Sequence, residues 1–222
     1  MSHLGATPPP TTLEDLRRAR LYALTPDATP ARIEELVDAW CRGGVDVVQL
    51  RHKSLHRGAL LPLAERLAAR CRQAGVLFFV NDHLDIALLS GADGVHLGEE
   101  DLSLADAERA MRNAGSPRIL VGASTSGVEQ ARKAEQGGAD CLGAGPAYPT
   151  PIKPGKPALG LPGVRAIQDA VGIPVFAIGG VDATRIAELR EQGLGRVCVI
   201  RALSDDPDPE AAARRLRELL YA

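Results

Sequence analysis

The 222-residue sequence predicts one closed barrel of eight parallel strands ringed by helices, the (β/α)8 TIM-barrel class of α/β fold. Three observations predict it. From Leu21 onward one unit recurs eight times: apolar strand, polar loop, amphipathic helix, glycine, next strand. The strands are continuous apolar runs, as in parallel sheets covered on both faces. The helices end on repeated glycine stops, Gly43-Gly44-Val45-Asp46, Gly91-Ala92-Asp93, Gly137-Gly138-Ala139-Asp140 and Gly193-Leu194-Gly195, where an αL cap turns the chain into a strand. The competing architecture is an open doubly wound sheet. It would place a GxGxxG turn after the first strand, and this chain has none there.

In order, the strands are expected at Leu21–Leu24, Val45–Leu50, Leu77–Val80, Gly94–Leu97, Ile119–Val121, Cys141–Gly143, Val175–Ile178 and Val197–Ile200. The helices are expected at Pro30–Arg42, Gly58–Gln73, Asp85–Ser90, Ala105–Ala114, Val128–Gln136, Gly163–Ala170, Ala183–Glu191 and Pro209–Leu220. The Pro- and Thr-rich start, MSHLGATPPPTT, reads as part of a disordered tail over 1–19, and 20–222 as the barrel domain. Composition excludes other classes. Net charge is −2 and aromatics are 3 %, so nothing favours a nucleic-acid partner. No apolar run reaches the roughly 18 residues of a membrane span, and no signal-peptide core is present. Cys41, Cys71, Cys141 and Cys198 form no CxxC pair and read as thiols of a cytoplasmic protein.

In a barrel, residues just past each strand share one mouth, where active sites lie. Strand 3 ends in Asn81-Asp82, and strand 4 runs into Gly98-Glu99-Glu100-Asp101. Asp82 and Asp101 therefore emerge side by side, and two carboxylates there suit a hard cation such as Mg²⁺ that completes its shell with substrate phosphate. Strand 2 ends in Gln49-Leu50-Arg51-His52-Lys53, with Gln49, Arg51 and Lys53 in step on one face. They read either as a structural ion-pair set with a neighbouring strand's Asp or as an anion-binding set, Arg51 by its fork and Lys53 as a point charge.

Ser124, Thr125 and Ser126 follow strand 5; Ser124 is placed to reach a ligand, and the other two read as helix caps. The loop from Ala144 to Gly160 is the longest unpatterned stretch, carries Thr150, Lys153 and Lys156, and reads as a binding loop with Lys156 unassigned. Gly179-Gly180 after strand 7 and Ile200-Arg201 after strand 8 lie where barrel enzymes commonly bind phosphate through backbone N–H groups. The set implies two phosphorylated small-molecule substrates, one a diphosphate held with the metal. No Ser-His-Asp or Cys-His arrangement is evident, and His83 and His96 read as structural histidines.

The stretches QLRHK (49–53), ND (81–82), GADGVHLGEEDL (91–102), GPAYPTPIK (145–153), PVFAIGGV (174–181) and the Val199-Ile200 ending resemble the thiamine phosphate synthase family, in register from about Leu21 onward. The resemblance implies a Mg²⁺-dependent transferase joining 4-amino-2-methyl-5-(hydroxymethyl)pyrimidine diphosphate to 4-methyl-5-(2-hydroxyethyl)thiazole phosphate. It further implies that Asp82 and Asp101 hold Mg²⁺ and that Arg51, Lys53, Asn81 and Lys153 hold the diphosphate. Gln49 and Ser124 would meet the pyrimidine; Thr150, Gly180 and the Ile200–Arg201 backbone would hold the thiazole phosphate.

Two positions depart from the family pattern. Ile152 stands where the loop usually carries a second Thr, and Arg201 where Ser follows the strand 8 isoleucine. Both fall on the thiazole-phosphate side. The alternatives are a thiazole tautomerase-like isomerase, which by resemblance would carry a His where this chain has Pro146, and a non-catalytic phosphate-ligand-binding paralogue. A homo-oligomer is compatible with the pattern.

Overall fold

The computed structural model describes residues 12–149 and 158–222. Each apolar run pairs in parallel with its sequence neighbour, and the last returns to the first. The strands β1 (Leu21–Leu24), β2 (Val47–Leu50), β3 (Leu77–Asn81), β4 (Gly94–Leu97), β5 (Leu120–Thr125), β6 (Cys141–Ala144), β7 (Val175–Ile178) and β8 (Val197–Val199) close into one barrel. Among the described residues the helices are α1 (Leu13–Arg18), α2 (Pro30–Gly43), α3 (Arg57–Ala74), α4 (Leu84–Ser90), α5 (Leu104–Asn113), α6 (Val128–Gln136), α7 (Gly160–Ala170), α8 (Ile186–Glu191), α9 (Arg201–Ser204) and α10 (Pro209–Tyr221).

Alternate strand residues face opposite ways, so the molecule has two cores. The larger lies between sheet and helices, around Trp40, Leu63, Val80 and Leu216. The smaller fills the barrel: Tyr22, Phe79 and Phe176 pack ring against ring, the Tyr22–Phe176 pair edge-on at 5.3 Å. Toward the mouth from this layer stand Gln49, Asn81, His96 and Ser124, polar residues that line the cavity above it. Gly122 makes room there, since a Cβ on it would lie 2.4 Å from His96 Nδ1.

The aspartates that follow the glycine stops have a purpose at the opposite end. Asp46 Oδ2 accepts the N–H groups of Arg20 and Leu21, Asp93 Oδ2 that of Phe78, and Asp140 Oδ2 that of Val121. Each carboxylate at the start of an even-numbered strand staples the start of the odd strand before it. Charge-assisted bonds to backbone of this kind fix register.

Several expectations are corrected. The disordered tail expected over 1–19 is not found over 12–19: Thr12 and Asp15 form a reciprocal capping box, and α1 follows. Leu16 and Ala19 are 0 % and 1 % exposed because they plug the barrel floor beneath Tyr22, an apolar contact that composition alone does not reveal. Residues 1–11 lie outside the described set. Strand 2 begins at Val47, because Asp46 is spent on its staple. The helix after β7 opens with a 3-10 turn, Ala183–Arg185, capped by Asp182. The chain after β8 enters the short α9 at Arg201 instead of remaining extended to Ile200.

Candidate active site

The strand ends open into a cavity of about 760 Å³. Its walls include Gln49, Arg51, Lys53, Asn81, Asp82, Asp101, Ser124, Gly180, Ile200 and Arg201, so ten of the expected site residues meet at one mouth. Thr150, Ile152, Lys153 and Lys156 lie outside the described residues.

On the β2 side, Thr25 holds the strand end in place: its hydroxyl donates to Arg51 O and accepts from Arg51 N, both at 2.9 Å. Asp27, in the loop after β1, takes Arg51 Nη1 at 3.2 Å and the Lys53 N–H at 2.5 Å. Lys53 Nζ lies 2.6 Å from Asp82 Oδ2. Both cations thus have carboxylate partners, and the structural and anion-binding readings of this set coexist. Lys53 is 55 % exposed, so its ammonium faces the cavity and can exchange partners. Gln49 is buried and donates from Nε2 to the Tyr22 hydroxyl at 2.8 Å, which fixes its amide above the aromatic layer.

Asp82 occupies the left-handed region with φ 65°, where a non-glycine residue costs on the order of 1–3 kcal/mol. The His83 N–H closes on Asn81 O at 2.8 Å, and the Asp82 N–H bonds His96 O at 2.9 Å, so the neighbouring strand holds this tight turn. Asp101 is positioned by its own loop, accepting the Gly98 N–H at 2.7 Å. The two carboxylates come within hydrogen-bonding reach of each other. Burial pushes Asp101 up, against the Gly98 N–H, and the Asp82 charge pushes it further. Burial also works to raise Asp82, but the Lys53 ammonium and the bond with Asp101 outweigh it and hold Asp82 below the usual range.

Two adjacent carboxylates that share one proton or one cation form a donor set of hard oxygens. No group of three metal-ligating side chains occurs among the described residues, so this is not a protein-only cage. It fits an ion such as Mg²⁺ that draws further ligands from substrate phosphate and water. Glu99 is drawn aside by Gln130 at 2.7 Å.

Between β4 and β5, Ser124 Oγ lies 3.1 Å from His96 Nε2. A Ser–His contact was not anticipated; it arises because the two strands are adjacent and Gly122 admits the imidazole ring. Thr125 and Ser126 do not cap α6, whose N-cap is Gly127 without a side-chain bond. Thr125 bonds Gly127 within the turn, and Ser126 meets Gln130 Oε1.

Across the mouth, Gly179 and Gly180 take φ of 95° and 67°. A Cβ on Gly180 would lie 2.8 Å from Tyr148 Cβ, so only glycine lets the β6 loop pass over it. That loop's root is tied down: Tyr148 N bonds Gly179 O, and its hydroxyl donates to Glu188 at 2.7 Å. Arg185, missed in the sequence, lies 4.4 Å over the Tyr148 ring and donates to Gly180 O. Arg201 is exposed at the same side. Asp27 and Arg185 had one usable signal, an ionisable residue within a few positions of a strand end.

Fold and site define a class: a (β/α)8 barrel whose mouth pairs a carboxylate–cation cluster with a glycine-lined, arginine-flanked pocket, suited to phosphorylated small molecules. The model of the family described as thiamine monophosphate synthase matches residues 21–203. A thiamine-phosphate synthase of Thermus thermophilus is 46% identical over 206 residues, covering 91% of this chain and 97% of that protein. One of Thermosynechococcus vestitus is 41% identical, over 92% of this chain and 56% of its own greater length. The solved thiamine phosphate pyrophosphorylase of Pyrococcus furiosus superposes with a TM-score of 0.82 at 33% identity, covering 92% of this chain and 96% of that one. The chain belongs to the thiamine monophosphate synthase family.

Proposed function

We propose that this chain is a transferase joining 4-amino-2-methyl-5-(hydroxymethyl)pyrimidine diphosphate to 4-methyl-5-(2-hydroxyethyl)thiazole phosphate, with thiamine phosphate and pyrophosphate as products. The observation that carries this is the Lys53–Asp82–Asp101 cluster facing the Gly180–Arg201 pocket across one cavity. One side suits a diphosphate and the other a monophosphate.

In the reaction, the C–O bond between the pyrimidine methylene and the diphosphate breaks, and its electron pair leaves with pyrophosphate. The thiazole nitrogen lone pair then closes on the methylene carbon. No enzyme-bound covalent intermediate is needed, so the residues serve to position groups and stabilise charge. Arg51 and Lys53 offset the departing charge, and Asn81, at the end of β3, offers an amide beside them. Gln49 and Ser124 present hydrogen-bonding groups to the pyrimidine, with Tyr22 and His96 holding them in place. Gly180 and the Ile200–Arg201 backbone receive the thiazole phosphate; by the family resemblance Thr150 would join them and Lys153 would join the diphosphate set.

Asp82 and Asp101 would hold Mg²⁺, which when bound neutralises charge on the diphosphate. The setting we infer is cytoplasmic: all four cysteines are free, as a reducing compartment keeps them. Among the described residues no helix is long and apolar enough to cross a membrane.

Purified protein given both substrates tests the reading by mass spectrometry. Thiamine phosphate should form with the pair and with neither substrate alone, and Lys53→Gln should lower kcat at least about tenfold. Absence of product from the wild-type chain would refute the assignment.

A further inference from the structure

The opposite face of the barrel carries a second concentration of charge. There, the approaches to β1 and β8, α7, α8 and the end of α10 surround a cavity of about 270 Å³ whose walls include Arg20, Arg190, Arg196 and Gln168. Each guanidinium is anchored by a backbone carbonyl. Arg20 Nη1 donates to Leu220 O at 2.6 Å, Arg190 Nη1 to Leu219 O at 3.1 Å, and Arg196 Nη2 to Arg17 O at 2.9 Å. Arg20 is also stacked 4.8 Å from the Tyr221 ring centre. No carboxylate lies within 4.0 Å of any of the three among the described residues; nearby Asp46 is engaged by Arg217, Tyr221 and the backbone of β1.

The end of α10, with its partial negative charge, accounts for attracting Arg20 and Arg190. The C-terminal end of α1 attracts Arg196 in the same way through Arg17 O, but the buried Nε of Arg196 has no partner among the described residues. Burial and the neighbouring Arg20 charge both push the Arg196 guanidinium down from its ordinary value, the mark of a cation placed where a cation is unwelcome.

We propose that this floor cavity is a binding site for a small phosphate-type oxyanion, held by Arg20, Arg190 and Arg196 and separate from the mouth. A guanidinium has five N–H donors and each here spends one on its anchor, which leaves a fork whose geometry is already fixed. The cavity is too small for a substrate of the mouth's size but ample for phosphate or the phosphate end of a larger molecule. An anion there would bridge α7, α8, α10 and the approaches to β1 and β8 around the floor, and β8 leads directly to Ile200–Arg201 at the mouth.

The test titrates inorganic phosphate into the full chain by calorimetry at fixed ionic strength, with glycerol phosphate in a second arm to separate free phosphate from phosphomonoester. A mouth variant (Arg51→Gln with Lys53→Gln and Arg201→Ser) removes the active-site anion groups. It should keep one phosphate site, and adding Arg190→Gln or Arg196→Gln should weaken that site about tenfold or more. Arg190 is exposed, so its substitution leaves the fold intact, and Arg196→Lys should restore part of the affinity. If the mouth variant binds no phosphate, or if the floor substitutions leave its affinity unchanged, the proposal is overturned.

Discussion

Asp101→Asn separates the two jobs assigned to Asp101. The amide oxygen can still accept the Gly98 N–H, so the loop keeps its 2.7 Å bond, while the charge facing Asp82 disappears. Asp101's proton affinity is higher folded than unfolded, first from burial and then from Asp82. Its contribution to stability is therefore present at low pH and lost as pH rises through the folded value, so at pH 7 the ionised side chain opposes folding. Two charges about 4 Å apart interact by ~1 kcal/mol at water's dielectric. That solvent-screened figure applies here because the pair opens to the cavity and Lys53 already offsets part of it. Removing the charge should raise the metal-free Tm by about 2–4 °C for a chain of this length. The rise of Tm with added Mg²⁺, which follows from binding to the folded state, should vanish, and turnover should fall by orders of magnitude. Scanning calorimetry with and without Mg²⁺, alongside the product assay, reads all three. A lower Tm with turnover intact would make Asp101 a loop cap and nothing more.

Arg201→Ser should change KM for the thiazole phosphate about tenfold while leaving KM for the pyrimidine diphosphate unmoved, and steady-state kinetics with each substrate varied would show it. Gly180→Ala forces a Cβ toward Tyr148 and the Pro149 carbonyl; it should lower Tm and raise the thiazole phosphate KM together. Leu16→Ala opens the barrel floor and should cost about 2–5 kcal/mol in denaturant unfolding, whereas removing a disordered residue would cost nothing. Asp82 is held below its usual value despite burial, by Lys53 and Asp101, so its contribution is complete above about pH 4 and lost as pH falls through the folded value. Acid unfolding of Lys53→Gln should therefore begin at a higher pH than in the wild type.

The barrel was legible because each unit repeats a local signal, an apolar run followed by a glycine stop, and because strand ends define one mouth. That rule alone brings Arg51, Lys53, Asp82, Asp101, Gly180 and Arg201 to one mouth. What stayed hidden depends on contacts between distant parts of the chain. The plug made by Leu16 and Ala19 is six residues of helix behind a proline run, and its stability comes from the barrel interior and not from local propensity. The Ser124–His96 pair exists only because β4 and β5 are in register beside Gly122. Arg20 and Arg196 meet only when β8 closes on β1.

We infer that the carboxylate pair makes the transfer depend on a divalent cation. The direct measurement follows thiamine phosphate and pyrophosphate together, with Mg²⁺ and with a chelator in excess, for the wild-type chain and Asp82→Asn. The expected result is equal amounts of both products with Mg²⁺, and neither in chelator nor from the variant at comparable rates. Full turnover in chelator, or from Asp82→Asn, would mean that the carboxylate pair holds no cation the transfer needs.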